Sequence, residues 1–269
     1  MTSLSDTLRE ARRRLRAVAD LLERAPLRSG PDGADARVLS RPVLLLHGLT
    51  STRRSAEVLE RRLRRDGYAV FTLRLGGLAR GIGTRGIDDL AAAVRAEVER
   101  LCAEHPGMGS LTLIGHSRGG LVGAYYVKKL GGWRRACALV TLGTPHHGTP
   151  AAWVGLPLGV FARSLWQMTP RSRFIRRLER GAWPPGVRFV SLFSKRDRVA
   201  RFPSTLIETH GLPYLRNVEV DAPGHRDLLT RKRVYDVLLA ELRAGEAAAP
   251  VRIGKLTAIP GAARSSSAR

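Results

Sequence analysis

The segment Leu111-Thr112-Leu113-Ile114-Gly115-His116-Ser117-Arg118-Gly119-Gly120 holds the pattern G-x-S-x-G directly between an apolar β-type run and a helical run. In a chain with 28 glycines the bare pattern arises by chance about 0.2 times, so its context carries the weight. A serine becomes a usable nucleophile when a strand delivers it and small neighbours let the chain turn sharply. A helix N-terminus behind it then favours developing negative charge. All three conditions are present, which makes Ser117 the candidate nucleophile. The competing structural role for Ser117 is a helix N-cap in a Gly-rich turn. Upstream, Val43-Leu44-Leu45-Leu46 runs into His47-Gly48-Leu49, where the backbone turns out of a predicted strand. Acyl transfer needs amide donors aimed at the oxyanion of a tetrahedral intermediate, each worth about 3–4 kcal/mol of barrier. The natural pair here is the backbone amides of Leu49 and Arg118, while His47 reads as a residue bracing the loop.

A third signature, Leu142-Gly143-Thr144-Pro145-His146-His147-Gly148, follows the next apolar run. Its proline and glycines shape a loop beside the nucleophile, with His146 and His147 holding that loop rather than transferring protons. Together, H-G-L after a strand, G-H-S-R-G-G at a turn and L-G-T-P-H-H-G resemble the α/β-hydrolase superfamily, specifically its bacterial triacylglycerol lipase and esterase branch. The resemblance covers roughly residues 42–243 in the matching chain order. It implies an α/β fold with a mostly parallel central sheet, helices on both faces and a small cap insertion.

The superfamily order of serine, acid and histidine implies an acid after the run Arg188–Phe193 and a base after the last strand. Asp197, in Ser194-Lys195-Arg196-Asp197, and His225, in Pro223-Gly224-His225, stand at those places. Asp221 and Asp227 are rivals for the acid, and His210 for the base. The implied activity is hydrolysis of carboxylic esters, lipophilic ones in particular, through an acyl-enzyme. Thioesterase, amidase or acyltransferase chemistry could use the same residues. A rival from another class is a noncatalytic membrane-associated binding protein. No cofactor is implied. No carboxylate cluster accompanies the His225 loop, so no metal is expected. Between Gly148 and Gly186 the sheet pattern stops, and three of the four tryptophans fall there. This stretch, about 149–186, resembles a cap or lid, with Trp153, Phe161 and Trp166 as candidate substrate contacts.

The elements that must position these residues alternate in type. Strands are predicted at Pro42–Leu46, Ala69–Leu73, Leu111–Gly115, Ala138–Leu142, Arg188–Phe193 and Asn217–Val220. Helices are predicted at Arg54–Asp66, Ile87–Glu104, Arg118–Leu130 and Arg226–Arg243. Such alternation makes a mostly parallel sheet covered on both faces. A domain of residues 37–244 results. Before it, Leu4, Leu8, Ala11, Leu15, Val18 and Leu22 mark a basic amphipathic helix, followed by a Gly/Pro linker, over residues 1–36. Residues 245–269, rich in Ala, Ser and Arg, read as a loose tail.

Length and composition fit a globular chain: 269 residues, 43% of them hydrophobic. The formal charge of +23 is mostly arginine, since only five of the 46 cations are lysine. Such a surface favours anionic partners, and peripheral contact with an anionic membrane is one expectation. The arginines are dispersed and no nucleic-acid-binding motif accompanies them, so specific nucleic-acid recognition is not expected. Cys102 and Cys137 are too few for a disulfide framework. The uncharged stretch 136–162 is interrupted by Pro145, Pro150 and Pro157, which argues against a membrane span. The N-terminus lacks an apolar secretory core, so a cytoplasmic location is expected. Oligomeric state is left open.

Overall fold

The computed structural model describes residues 41–48, 53–73, 85–155 and 163–247. Six strands form one sheet: β1 (Pro42–Leu46), β2 (Ala69–Leu73), β3 (Leu111–His116), β4 (Ala136–Leu142), β5 (Arg188–Phe193) and β6 (Leu215–Glu219). The spatial order is β2-β1-β3-β4-β5-β6 and every pairing is parallel. Parallel neighbours require crossovers, and helices on the faces supply them. On the described chain these are α1 (Arg53–Arg65), α2 (Ile87–Glu104), α3 (Arg118–Lys129), α4 (Ala151–Gly155), α5 (Arg163–Gln167), α6 (Arg173–Glu179), α7 (Asp227–Thr230) and α8 (Lys232–Ala247). The mostly parallel α/β sheet read from the sequence is therefore present.

Alternation along β1 shows why its sequence is apolar throughout. Leu44 and Leu46 face one core with α2 and α3, and Val43 and Leu45 face a second core with α1, α7 and α8. Burial on both faces removes the polar positions that a one-sided strand would show. The first core also takes in Leu165, Met168, Phe174, Ile175 and Leu178 from the segment after β4. Phe174 stacks on Tyr125 with ring centroids 5.4 Å apart.

The chain runs from β1 outward to β2, then back across to β3. The strand order reverses at β1/β3, the place where open α/β sheets bind ligands at the carboxyl ends of their strands. Gly48, after β1, and Ser117, after β3, both lie at that end.

Elements β3, β4, β6, α1 and α3 differ from their predicted bounds by one or two residues at one or both ends, and the last predicted helix departs furthest. The helix expected at Arg226–Arg243 is two, because Arg231 adopts extended backbone (φ −69°, ψ 133°) between α7 and α8. The break lets Leu228 and Leu229 of α7 and Val234 and Leu238 of α8 all reach the second core. The final helix also runs to Ala247, past the boundary drawn at Gly245. Gly245 lies against Arg188, where an added Cβ would sit 3.2 Å from Nη1, and Glu246 pairs with Arg41. Tertiary contacts thus extend the helix into a segment whose composition reads as tail. The predicted amphipathic helix of residues 1–36 and the remainder of the tail lie outside the described residues.

Candidate active site

Ser117 occupies φ 55°, ψ −124°, a conformation costly for any residue with a side chain, by about 1–3 kcal/mol. The surrounding backbone holds it there. Its N–H donates to Leu142 O (3.0 Å), and its carbonyl accepts from Gly120 N–H (3.1 Å) and Thr144 Oγ1 (2.9 Å). The glycines of the motif are required by close approach. A Cβ on Gly115 would lie 2.5 Å from Gly120 Cα, and one on Gly119 would lie 2.1 Å from Leu46 O. The amide of Arg118 is the first of α3, one of the donors that a helix leaves without an intrahelical acceptor. Leu49, the other expected donor, lies outside the described residues. Gly48 before it is packed against the nucleophile, where an added Cβ would be 2.8 Å from Ser117 Cβ.

Asp197 and His225 meet across 28 residues of chain. Nδ1 of His225 lies 2.7 Å from Asp197 Oδ2, with both side chains buried. The other carboxylate oxygen accepts the backbone N–H groups of Val199 (2.8 Å) and Ala200 (3.0 Å). A carboxylate offers only acceptors, so His225 donates from Nδ1 and its Nε2 is left with the lone pair. Nε2 is buried and has no protein hydrogen-bond partner, so Ser117 Oγ does not bond to it in this conformation. Catalytic hydrogen bonds are often unformed without substrate. The pair and Ser117 share neighbours: Gly143 follows the residue that accepts from Ser117 N–H, and a Cβ on Gly143 would lie 3.2 Å from His225 Nδ1. Gly143 has φ 54°, and the same Cβ would lie 2.9 Å from Asp197 Oδ2.

The rival residues lie elsewhere. His210 is exposed and 3.3 Å from Glu208. Asp221 is exposed and pairs with Arg196, and Asp227 opens α7 with Arg231 Nε at 3.9 Å. The loop histidines have structural partners. His146 is buried, with Nε2 3.1 Å from Thr141 Oγ1, and burial pushes its pKa down to about 3. His147 Nδ1 lies 2.7 Å from Glu179 Oε1. His47 is half-buried at the end of β1.

Where it is described, the segment after β4 is held against the start of α2 and against Arg118. Arg163 of α5 pairs with Asp88 (2.7 Å) and Asp89 (2.9 Å) at the start of α2, and Gln167 Nε2 donates to Asp88 Oδ1 (2.8 Å). Beneath it, Arg118 is fully buried and donates from Nη1 to Ser164 Oγ (3.1 Å). Trp153 and Trp166 are 54% and 48% exposed, respectively, and Phe161 lies outside the described residues. Trp183 instead stacks on Phe189 at 4.2 Å and serves packing.

Sequence reasoning passed over His116, Thr144 and Ser164. His116 stood within the G-H-S-R-G-G motif, but no local pattern marked its partner. Among the described residues no group of three or more His, Cys, Asp or Glu could hold a metal ion. Nor is any described helix long and apolar enough to cross a membrane.

A triacylglycerol lipase of Pseudarthrobacter phenanthrenivorans is 32% identical over 126 residues, covering 44% of this chain and 38% of that protein. A triacylglycerol lipase of Burkholderia plantarii is 32% identical over 126 residues, covering 44% of this chain and 34% of that protein. The match therefore spans little more than a third of these curated relatives. The mature form of a Bacillus licheniformis lipase aligns with TM-score 0.64 at 13% identity, covering 80% of this chain and 97% of that one. A Paleococcus ferrophilus monoacylglycerol lipase aligns with TM-score 0.61 at 14% identity, covering 82% and 98%. At such identities the likeness is one of fold. Residues 39–207, more than half of the chain, match the family described as serine aminopeptidase, S33. With its parallel sheet and its strand-turn-helix at Ser117, this chain belongs to that family and is a lipase- and esterase-like α/β-hydrolase.

Proposed function

We propose that this chain is a serine hydrolase of lipophilic carboxylic esters, working through an acyl-enzyme on Ser117. His225 Nε2 takes the proton from Ser117 Oγ as that oxygen attacks the ester carbonyl. The oxyanion is met by the amides of Arg118 and Leu49. Collapse breaks the ester C–O bond, and the alkoxide leaves with the proton held on Nε2. Water then repeats the sequence, giving a proton to Nε2 while its oxygen attacks the acyl group. The acid departs and Ser117 regains its proton. Asp197 stays ionised, holds Nδ1–H in place and offsets the charge on the imidazolium. No step requires a cofactor.

The observation that carries this reading is the buried Asp197–His225 contact, which leaves His225 Nε2 as an acceptor; the strained turn at Ser117 supports it. The ester preference is supported by the names of the curated relatives and by the tryptophans of the cover. The family description raises amide cleavage at a free N-terminus. That reaction needs a carboxylate for the substrate ammonium, and Asp88 and Asp89 beside the cover are already tied to Arg163 and Gln167. In this reading the basic amphipathic sequence pattern of residues 1–36 suits an anionic membrane.

The test is turnover of p-nitrophenyl esters of increasing acyl length alongside aminoacyl p-nitroanilides. Faster cleavage of esters, lost in Ser117→Ala, is expected. Preferential cleavage of the anilides would replace the ester reading with a peptidase one. Flotation with anionic liposomes, with and without residues 1–36, tests that segment: loss of binding on truncation is expected, and unchanged binding refutes that role.

A further inference from the structure

His116 ends β3, immediately before the nucleophile, and its side chain is almost wholly buried. Its Nε2 lies 3.1 Å from the carbonyl oxygen of His225. A carbonyl only accepts, so Nε2 carries the hydrogen and donates. The opposite edge of the ring, Nδ1, lies against the turn after β1, 3.1 Å from where a Cβ on Gly48 would be. The two imidazole rings are 4.6 Å apart between centroids and tilted by 40°.

The chain around His225 runs from β6 to α7 through Pro223 and Gly224. Several contacts tie it to β5 and the segment after it: Val220 N–H donates to Phe193 O (2.8 Å), Arg196 pairs with Asp221, Ser194 Oγ donates to Ala222 O (2.6 Å) and His225 Nδ1 to Asp197. The donation from His116 Nε2 to His225 O is of a different kind, because its donor is covalently adjacent to Ser117. It measures the position of the base directly from the strand that carries the nucleophile.

We infer that His116 is a positioning residue, a neutral strut that sets the distance between the His225 backbone and the Ser117 turn. The inference rests on the triad proposed above. Burial, and after it the neighbouring His225, hold the His116 pKa well below the usual histidine range, so the strut stays uncharged. Neutrality matters because His225 must become cationic during the reaction. A second positive ring 4.6 Å away would oppose it. A neutral donor of similar reach, the Gln side-chain amide, should serve in its place, and a leucine should not.

The experiment compares wild type, H116L, H116Q and Ser117→Ala. It reads the rate and final stoichiometry of fluorophosphonate labelling, kcat and KM on p-nitrophenyl butyrate, and the melting temperature. H116L, still folded, is expected to label to the same stoichiometry but on the order of 10- to 100-fold more slowly, with kcat falling in step and KM little changed. H116Q is expected to recover most of the rate. Should Leu at 116 prevent folding, His116→Asn, whose shorter amide cannot span to the carbonyl, supplies the same contrast with H116Q. A folded H116L that labels at the wild-type rate overturns the inference, as does an H116Q no faster than H116L. Labelling of Ser117→Ala as fast as wild type would instead overturn the triad itself, so the two failures are separable.

Discussion

Replacing Asp197 by Asn exchanges an acceptor for a donor at nearly constant volume. Oδ1 accepts two backbone N–H groups, from Val199 and Ala200, so the introduced amide must place its carbonyl oxygen there. Its NH2 group then occupies the site of Oδ2, 2.7 Å from His225 Nδ1. Two donors cannot share that contact, and His225 relieves it by moving its hydrogen to Nε2. The nitrogen that should accept from Ser117 is thereby blocked. Loss of the correct tautomer in a serine triad costs about 10⁴ in kcat, or about 5.5 kcal/mol of barrier. The fold should survive, since both loop amides keep an acceptor. The assay is kcat on p-nitrophenyl butyrate beside the melting temperature, with Asp221→Asn and Asp227→Asn as controls expected to stay within a few-fold of wild type. Activity of Asp197→Asn within tenfold of wild type would refute the tautomer argument. A comparable loss in either control alone would move the acid elsewhere.

Gly143→Ala places a methyl group 2.5 Å from Leu228 and 2.9 Å from Asp197 Oδ2 at a positive φ, so it should lower kcat at least 100-fold and reduce stability by about 1–3 kcal/mol, read by turnover and urea melts. His146, with its pKa lowered to about 3 in the fold, binds its proton in the unfolded chain first as pH falls below about 6.5. Its contribution is complete above that pH and is lost towards pH 3 at about 1.4 kcal/mol per pH unit, so urea melts of His146→Asn across this window should show an acid slope shallower by about one proton. Trp153→Ala and Trp166→Ala, at half-exposed positions, should leave stability within about 0.5 kcal/mol. If these side chains meet the acyl group, KM should rise for long p-nitrophenyl esters and not for acetate; equal effects on both would remove them from the binding surface.

The interior of this fold was readable because burial on both faces makes parallel strands into unbroken apolar runs. The predicted bounds of β1, β2 and β5 match those observed. The edge strand β6, Leu-Arg-Asn-Val-Glu, is only half covered and its mixed polarity shifted the reading by two residues at its start. The break at Arg231 has no Gly or Pro to mark it; packing of α7 and α8 on the second core decides it. At the site, Ser117 was legible because the elbow needs small residues at fixed spacing. Asp197 and His225 were placed by chain order within the resemblance. Their contact is tertiary and leaves no local spacing to detect. The donation from His116 to His225 and the buried Arg118–Ser164 contact were invisible for the same reason. The aromatic residues of the cover were legible in kind but not in direction: Phe174 and Trp183 pack inward, whereas Trp153 and Trp166 are half-exposed.

The most direct measurement is peptide mapping of the intact chain after reaction with a fluorophosphonate. The account predicts a single adduct on the peptide bearing Ser117, formed in step with loss of ester hydrolysis. An adduct on another residue that tracks the lost activity, or full inhibition with Ser117 unmodified, would contradict it.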